Sequence, residues 1–167
     1  MKVSGGTARR GRRTRARVVA AAALLAPALS SGCASSDPLD DPRSELETNR
    51  ARWVADRPTA YSYTLERLCF CGPEARGPVV VTVQGASVTE RVYVGSDEPV
   101  APALEDLYPS VDGLFEVLEE AMDRDAHRIE VTYDVGTGIP LDIWVDYAEN
   151  VADEELGFAV RSLPDGS

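Results

Sequence analysis

Two cysteines one residue apart, in Leu68-Cys69-Phe70-Cys71-Gly72-Pro73, are the residues of this chain best equipped for chemistry. One further cysteine, Cys33, completes the set. A Cys-x-Cys pair can close a disulfide, exchange with other thiols, contribute half of a metal site or remain as free thiols. Geometry sets a condition on the first of these. In an extended strand, residues i and i+2 lie about 6.6 Å apart at Cα, two rises of ~3.3 Å. A disulfide favours a Cα separation of about 5.5–6 Å. A Cys69–Cys71 bond therefore requires the chain to bend, and Gly72-Pro73 is where the sequence allows it. The closed loop would be too small to stabilise much through chain entropy. A static local disulfide is the first expectation, with a redox-active pair, free thiols and metal ligation as the alternatives.

Other groups offer less. His127 is the single histidine and stands between two elements, where a solvated or capping role fits better than a catalytic one. No nucleophile-elbow motif accompanies it. The acids Asp134, Asp142, Asp146 and Asp153 are candidates for a hard cation such as Ca²⁺, because Asp142 and Asp146 share strand parity. Their spacing matches no EF-hand loop, and turn-forming, solvated carboxylates account for them equally well. Neither metal site nor cofactor is assigned. Trp144 has the opposite parity to Leu141, Ile143 and Val145, which places it on the outer face of its strand and makes it a binding candidate.

The amino-terminal stretch reads as an address. Lys2 and six arginines through Arg17 precede an apolar run from Val18 to Leu29. That run is short of the ~20 residues a membrane span needs, and the pattern is that of a secretory signal peptide over residues 1–32. Ser31-Gly32-Cys33 resembles a bacterial lipobox, with Ser30 where leucine is usual. Cys33 is accordingly expected to carry a lipid anchor, and residues 33–43 to form a polar tether. Cleavage by an ordinary signal peptidase would instead release a secreted protein. An extracytoplasmic location follows in either case, at the cell membrane or outer membrane if Cys33 is lipidated.

Past residue 32 the chain keeps ten arginines against 28 acids, a formal charge of −18. Such a surface repels phosphate backbones, so nucleic acid is excluded as a partner. Residues 44–163 are one domain's worth of sequence, followed by a tail over 164–167. A monomer is expected, docking to a protein or ligand that the sequence does not name.

Within the domain, Ser44-Glu45-Leu46-Glu47 has the form of a capping box opening a helix that ends near Asp56, before Arg57-Pro58. The period then falls to two. Tyr61, Tyr63 and Leu65 mark one strand; Val79, Val81 and Val83 mark a second; Gly85-Ala86 turns into a third. A proline-punctuated loop with short helical pieces leads to Ser110, the expected cap of a second helix. Its apolar stripe is Val111, Leu114, Phe115, Leu118 and Met122. Strands follow over 128–134, 140–147 and 156–163. The expectation is an α+β fold in the order α-β-β-β-α-β-β-β, with two helices on one face of an antiparallel sheet of about six strands. The two α-β-β-β halves suggest duplication at the level of topology.

The ordered motifs are Trp53, Tyr61-Ser62-Tyr63, Cys69-Phe70-Cys71, Gly85, Val131-Thr132-Tyr133-Asp134, Gly138-Ile139-Pro140, Ile143 to Asp146, and Asp153-Glu154-Glu155 before Phe158. Together they resemble a family of small secreted bacterial lipoproteins defined only as a domain of unknown function. Ile139 departs from the aromatic residue common there. The resemblance implies an envelope location and brings no catalytic residues. The functional expectation is a lipid-anchored, non-enzymatic envelope module that binds a partner. A thiol-disulfide protein using Cys69 and Cys71, or a divalent-cation module, are the alternatives.

Overall fold

The structure, a computed structural model, describes residues 41–149 and 154–166. The expected signal peptide, Cys33, the tether as far as Asp40, and Asp153 lie outside the described residues. Helix α1 spans Pro42–Asp56 and α2 spans Val111–Asp123. Six strands, β1 (Ala60–Cys69), β2 (Pro78–Gln84), β3 (Ser87–Tyr93), β4 (Arg128–Tyr133), β5 (Pro140–Asp146) and β6 (Glu155–Gly166), form one antiparallel sheet in the order β3-β2-β1-β6-β5-β4. None of the described helices is long and apolar enough to cross a membrane.

The start of α1 corrects the expected capping box. Asp41, not Ser44, is the cap: its carboxylate accepts from the Arg43 amide at 3.2 Å, and Pro42 follows. Proline at the first helical position lacks the N–H that would go unbonded and has its φ already set, so it draws the helix start three residues earlier. Ser44 therefore falls inside the first turn. The second helix begins where expected, with Ser110 Oγ accepting from Gly113 N at 3.2 Å.

The helices pack antiparallel on one face. Arg43 pairs with Asp123 at one end of the pair, Arg50 with Glu119 midway, and Arg57 with Asp112 at the other end. Beneath them Leu46 and Trp53 of α1 and Val111, Leu114, Phe115 and Leu118 of α2 meet Tyr61, Tyr63 and Leu65 of β1, Val79, Val81 and Val83 of β2, and Ile143 and Val145 of β5. The period-two alternation of the strands fixes which residues enter this core, because a one-residue slip would turn the whole apolar set to solvent.

Gly138, in the β4–β5 turn, is where the sheet comes closest to α1. A Cβ there would lie 2.3 Å from the Asn49 carbonyl oxygen, and its φ is +77°. Only glycine meets both conditions. Ile139 beside it is fully buried, so the position where the resemblance implies an aromatic is a core position here.

Among the described residues no helix covers the opposite face of the sheet. That face presents Ser62, Thr64, Glu66 and Leu68 of β1, Asp142, Trp144 and Asp146 of β5, and Glu130 and Thr132 of β4. At the centre of the sheet the first strand pairs with the last, β1 with β6. A two-fold axis normal to the sheet would bring the same strand of each half to the centre, so the two halves are not equivalent by that symmetry.

Candidate functional site at the Cys69–Gly77 loop

β1 runs through the middle of the sheet, and its inward parity continues from Tyr61, Tyr63 and Leu65 to Arg67 and Cys69. The last two lie past the best-covered part of the core and are half-buried. The strand ends at Cys69, and Pro73–Ala75 forms a single 3-10 turn before Pro78 opens β2. The bend that a disulfide requires is present: Cys69 and Cys71 are 5.3 Å apart at Cα, with their sulfurs at disulfide distance. Phe70, on the opposite parity between them, is 88% exposed.

Two tyrosines hold the loop in place. The Tyr93 hydroxyl donates to the Glu74 carbonyl at 2.5 Å, and that of Tyr108 reaches the same oxygen at 3.5 Å. Their rings pack edge to face at 6.5 Å. Burial pushes the Tyr108 phenol up to about 12, so it is a neutral donor at physiological pH.

Arg67 is the residue sequence reasoning missed. Its Nη1 lies 2.7 Å from Cys69 Sγ, 3.4 Å from Cys71 Sγ and 3.5 Å from the Ala75 carbonyl oxygen. Seven other arginines form ion pairs with carboxylates. Among the described residues Arg67 has no such partner. Burial lowers the guanidinium's affinity for its proton from the ordinary value, with an opposing contribution from Tyr108. Strand parity was the available signal, since residues 67 and 69 share a face.

On the outer face, Trp144 is half-buried and packs over Gly157, where a Cβ would stand 2.9 Å from Cε3 of the indole. The absent side chain lets the ring lie against the sheet. Trp144, Leu68, Phe70, Glu66, Glu155 and Arg76 line a groove of about 690 Å³ that runs past the base of the loop. The expected outward position of Trp144 is thus the observed one, and its neighbours Leu68 and Phe70 extend it into an apolar strip.

Of the candidate cation ligands, Asp153 lies outside the described residues, and Asp134, Asp142 and Asp146 are not gathered. Asp134 Oδ1 accepts from the amides of Gly136 and Thr137 and from the Thr137 hydroxyl. These bonds, that of the Thr137 hydroxyl foremost, hold its carboxyl below the usual range. Asp146 accepts from the Ala148 amide at 3.1 Å, and Asp142 points to solvent from β5. Among the described residues no three His, Cys, Asp or Glu side chains cluster as a metal site would need. His127 is exposed between α2 and β4.

These features define a small α+β domain: one six-stranded sheet, two helices on one face, and a Cys-x-Cys loop closing its central hairpin. Residues 45–164 match the model of a family of unknown function, DUF6174, and the chain belongs to that family. Comparison with curated proteins and with solved structures finds no match.

Proposed function

We infer that this protein is a binding module of the bacterial cell envelope, anchored through a lipid on Cys33, whose partner docks in the groove beside Trp144 and Phe70. The observation that carries the reading is Phe70. A large apolar side chain 88% exposed at the start of a tied-down loop is costly in solvent, and it shares a groove with the half-buried Trp144. Rigid aromatic anchors next to a groove are what binding hot spots are made of. The polar stretch between Cys33 and the helix cap Asp41 gives the domain reach from a membrane surface. The charge of −18 favours partners with cationic rims. Trp144→Ala combined with Phe70→Ala removes both anchors and leaves the core of α1, α2 and the inner sheet face intact. Cross-linking in intact envelopes is expected to trap a discrete partner with the wild-type chain and none with the double variant. Equal trapping by both would refute the groove as the binding face.

A further inference from the structure

The sulfurs of Cys69 and Cys71 face a guanidinium that pairs with no carboxylate among the described residues. Neutral disulfide sulfurs are weak acceptors, so Arg67 is poorly satisfied while the pair is oxidised. Reduction changes this. A thiolate at the Cys69 position would meet Arg67 Nη1 in a charge-assisted contact, which is about twice as strong as a neutral one. A nearby arginine also lowers a thiol's pKa. The Ala75 carbonyl oxygen, an acceptor for an S–H, lies 3.7 Å from Cys71 Sγ and 4.0 Å from Cys69 Sγ, while Arg67 Nη1 is nearer Cys69 Sγ, at 2.7 Å against 3.4 Å. The loop thus has one position suited to a thiolate and one suited to a thiol.

We propose that Cys69 and Cys71 are a reversible dithiol–disulfide pair, with Cys69 the thiolate of the reduced form and Arg67 the residue that stabilises it. The co-reactant is a dithiol of a partner protein or small molecule. Its first thiolate attacks Cys71 Sγ, the Cys69–Cys71 bond breaks, and Cys69 leaves as a thiolate against Arg67. The partner's second thiol, as thiolate, then attacks the partner sulfur of the mixed disulfide. Cys71 is released and takes up a proton, and the partner departs as a disulfide. Two electrons pass from the partner dithiol to the cysteine pair, and the reverse sequence reduces a partner disulfide while re-forming the Cys69–Cys71 bond. Stabilising the reduced form makes the disulfide easier to reduce. Proline and the 3-10 turn after Gly72, with the two tyrosine bonds to Glu74, hold Ala75 and the sulfurs in place through the change. Arg67 and Cys69 border the same groove as Trp144 and Phe70, but the inference needs neither a partner docked there nor the anchor, so it can fail or stand apart from the binding reading.

The test is equilibration of the full chain with glutathione at pH 7, read by mass spectrometry of the peptide holding both cysteines. The wild-type pair is expected to be reduced by excess glutathione while the fold persists. Arg67→Met should move the equilibrium about tenfold toward the disulfide, roughly 30 mV, and Arg67→Lys should recover most of the change. A wild-type pair that stays oxidised in large excess of glutathione overturns the proposal, as does an equilibrium that Arg67→Met leaves unmoved. Should Arg67→Met not fold, the single variants decide on the arginine background. Cys71→Ser should leave Cys69 alkylated by iodoacetamide at least tenfold faster than Cys71 is in Cys69→Ser. Equal rates overturn the assignment of the thiolate.

Discussion

At the scale of residues, the tyrosines separate into hydroxyls with partners and hydroxyls without. Tyr63 donates to the Pro109 carbonyl from a fully buried position. The Tyr133 hydroxyl is buried with no partner among the described residues. Removing a bonded hydroxyl leaves an orphaned acceptor and costs about 1 kcal/mol, whereas removing an orphan is neutral or stabilising. Urea unfolding should therefore show Tyr63→Phe less stable than wild type and Tyr133→Phe at least as stable. A clear loss in Tyr133→Phe would contradict the pairing described above. At this scale the sequence was legible where parity or spacing fixes a side chain. Cys69 and Cys71 were singled out by spacing, and Trp144 by its parity. The partner of the sulfurs was not, because an arginine inside an apolar-alternating strand looks like an interruption until its neighbours across the sheet are known.

At the scale of elements, most boundaries follow from pattern and caps. The Gly85-Ala86 turn and the first five strands occupy their expected places, and α2 buries its expected stripe except that Ala121 takes the innermost place at its end and Met122 is partly buried. β6 runs on to Gly166, past its expected end at 163 and into the expected tail, because it pairs with β1 as far as Tyr61. The α1 start does not, because the Asp41 cap with its proline and a capping box three residues later compete for one terminus. Asp41→Ala should cost about 0.5–2 kcal/mol, as loss of an N-cap does, and Ser44→Ala should cost far less. Equal costs would restore the capping box. Close approaches between elements are less legible still. Nothing in Val135-Gly136-Thr137-Gly138 says that Gly138 rests on the α1 backbone. Gly138→Ala should cost at least about 1–3 kcal/mol from its left-handed φ alone, before the clash with Asn49 is added. Gly157→Ala should push the Trp144 ring off the sheet. In a Trp53→Phe background, that change would register as a red shift of the remaining indole emission.

At the scale of the whole molecule, burial of phenols couples the fold to alkaline pH. Burial raises Tyr61, Tyr108 and Tyr147 from 10.0 to about 12, and also raises Tyr63 and Tyr133, with smaller contributions from neighbouring charges. The folded chain favours the neutral phenol, so the unfolded chain ionises first, near its ordinary value of about 10. Stability is full below that pH and falls as pH rises from about 10 toward 12. Absorbance at the phenolate band should show most tyrosines titrating late and together with unfolding, and a melting temperature unchanged up to pH 12 would contradict this. The sequence revealed the class of fold because its two periods, 3.6 and 2, alternate cleanly along the chain. It could not reveal that β6 returns to the middle of the sheet, since strand order depends on pairings between residues nearly a hundred apart.

The proposed lipid anchor outside the cytoplasm and the closed Cys69–Cys71 loop are tested together by intact mass spectrometry of the chain from isolated membranes. The expected mass begins at Cys33, carries a lipid, and rises by two hydrogens on reduction. A soluble chain cleaved elsewhere without lipid, or a mass that reduction leaves unchanged, would contradict it.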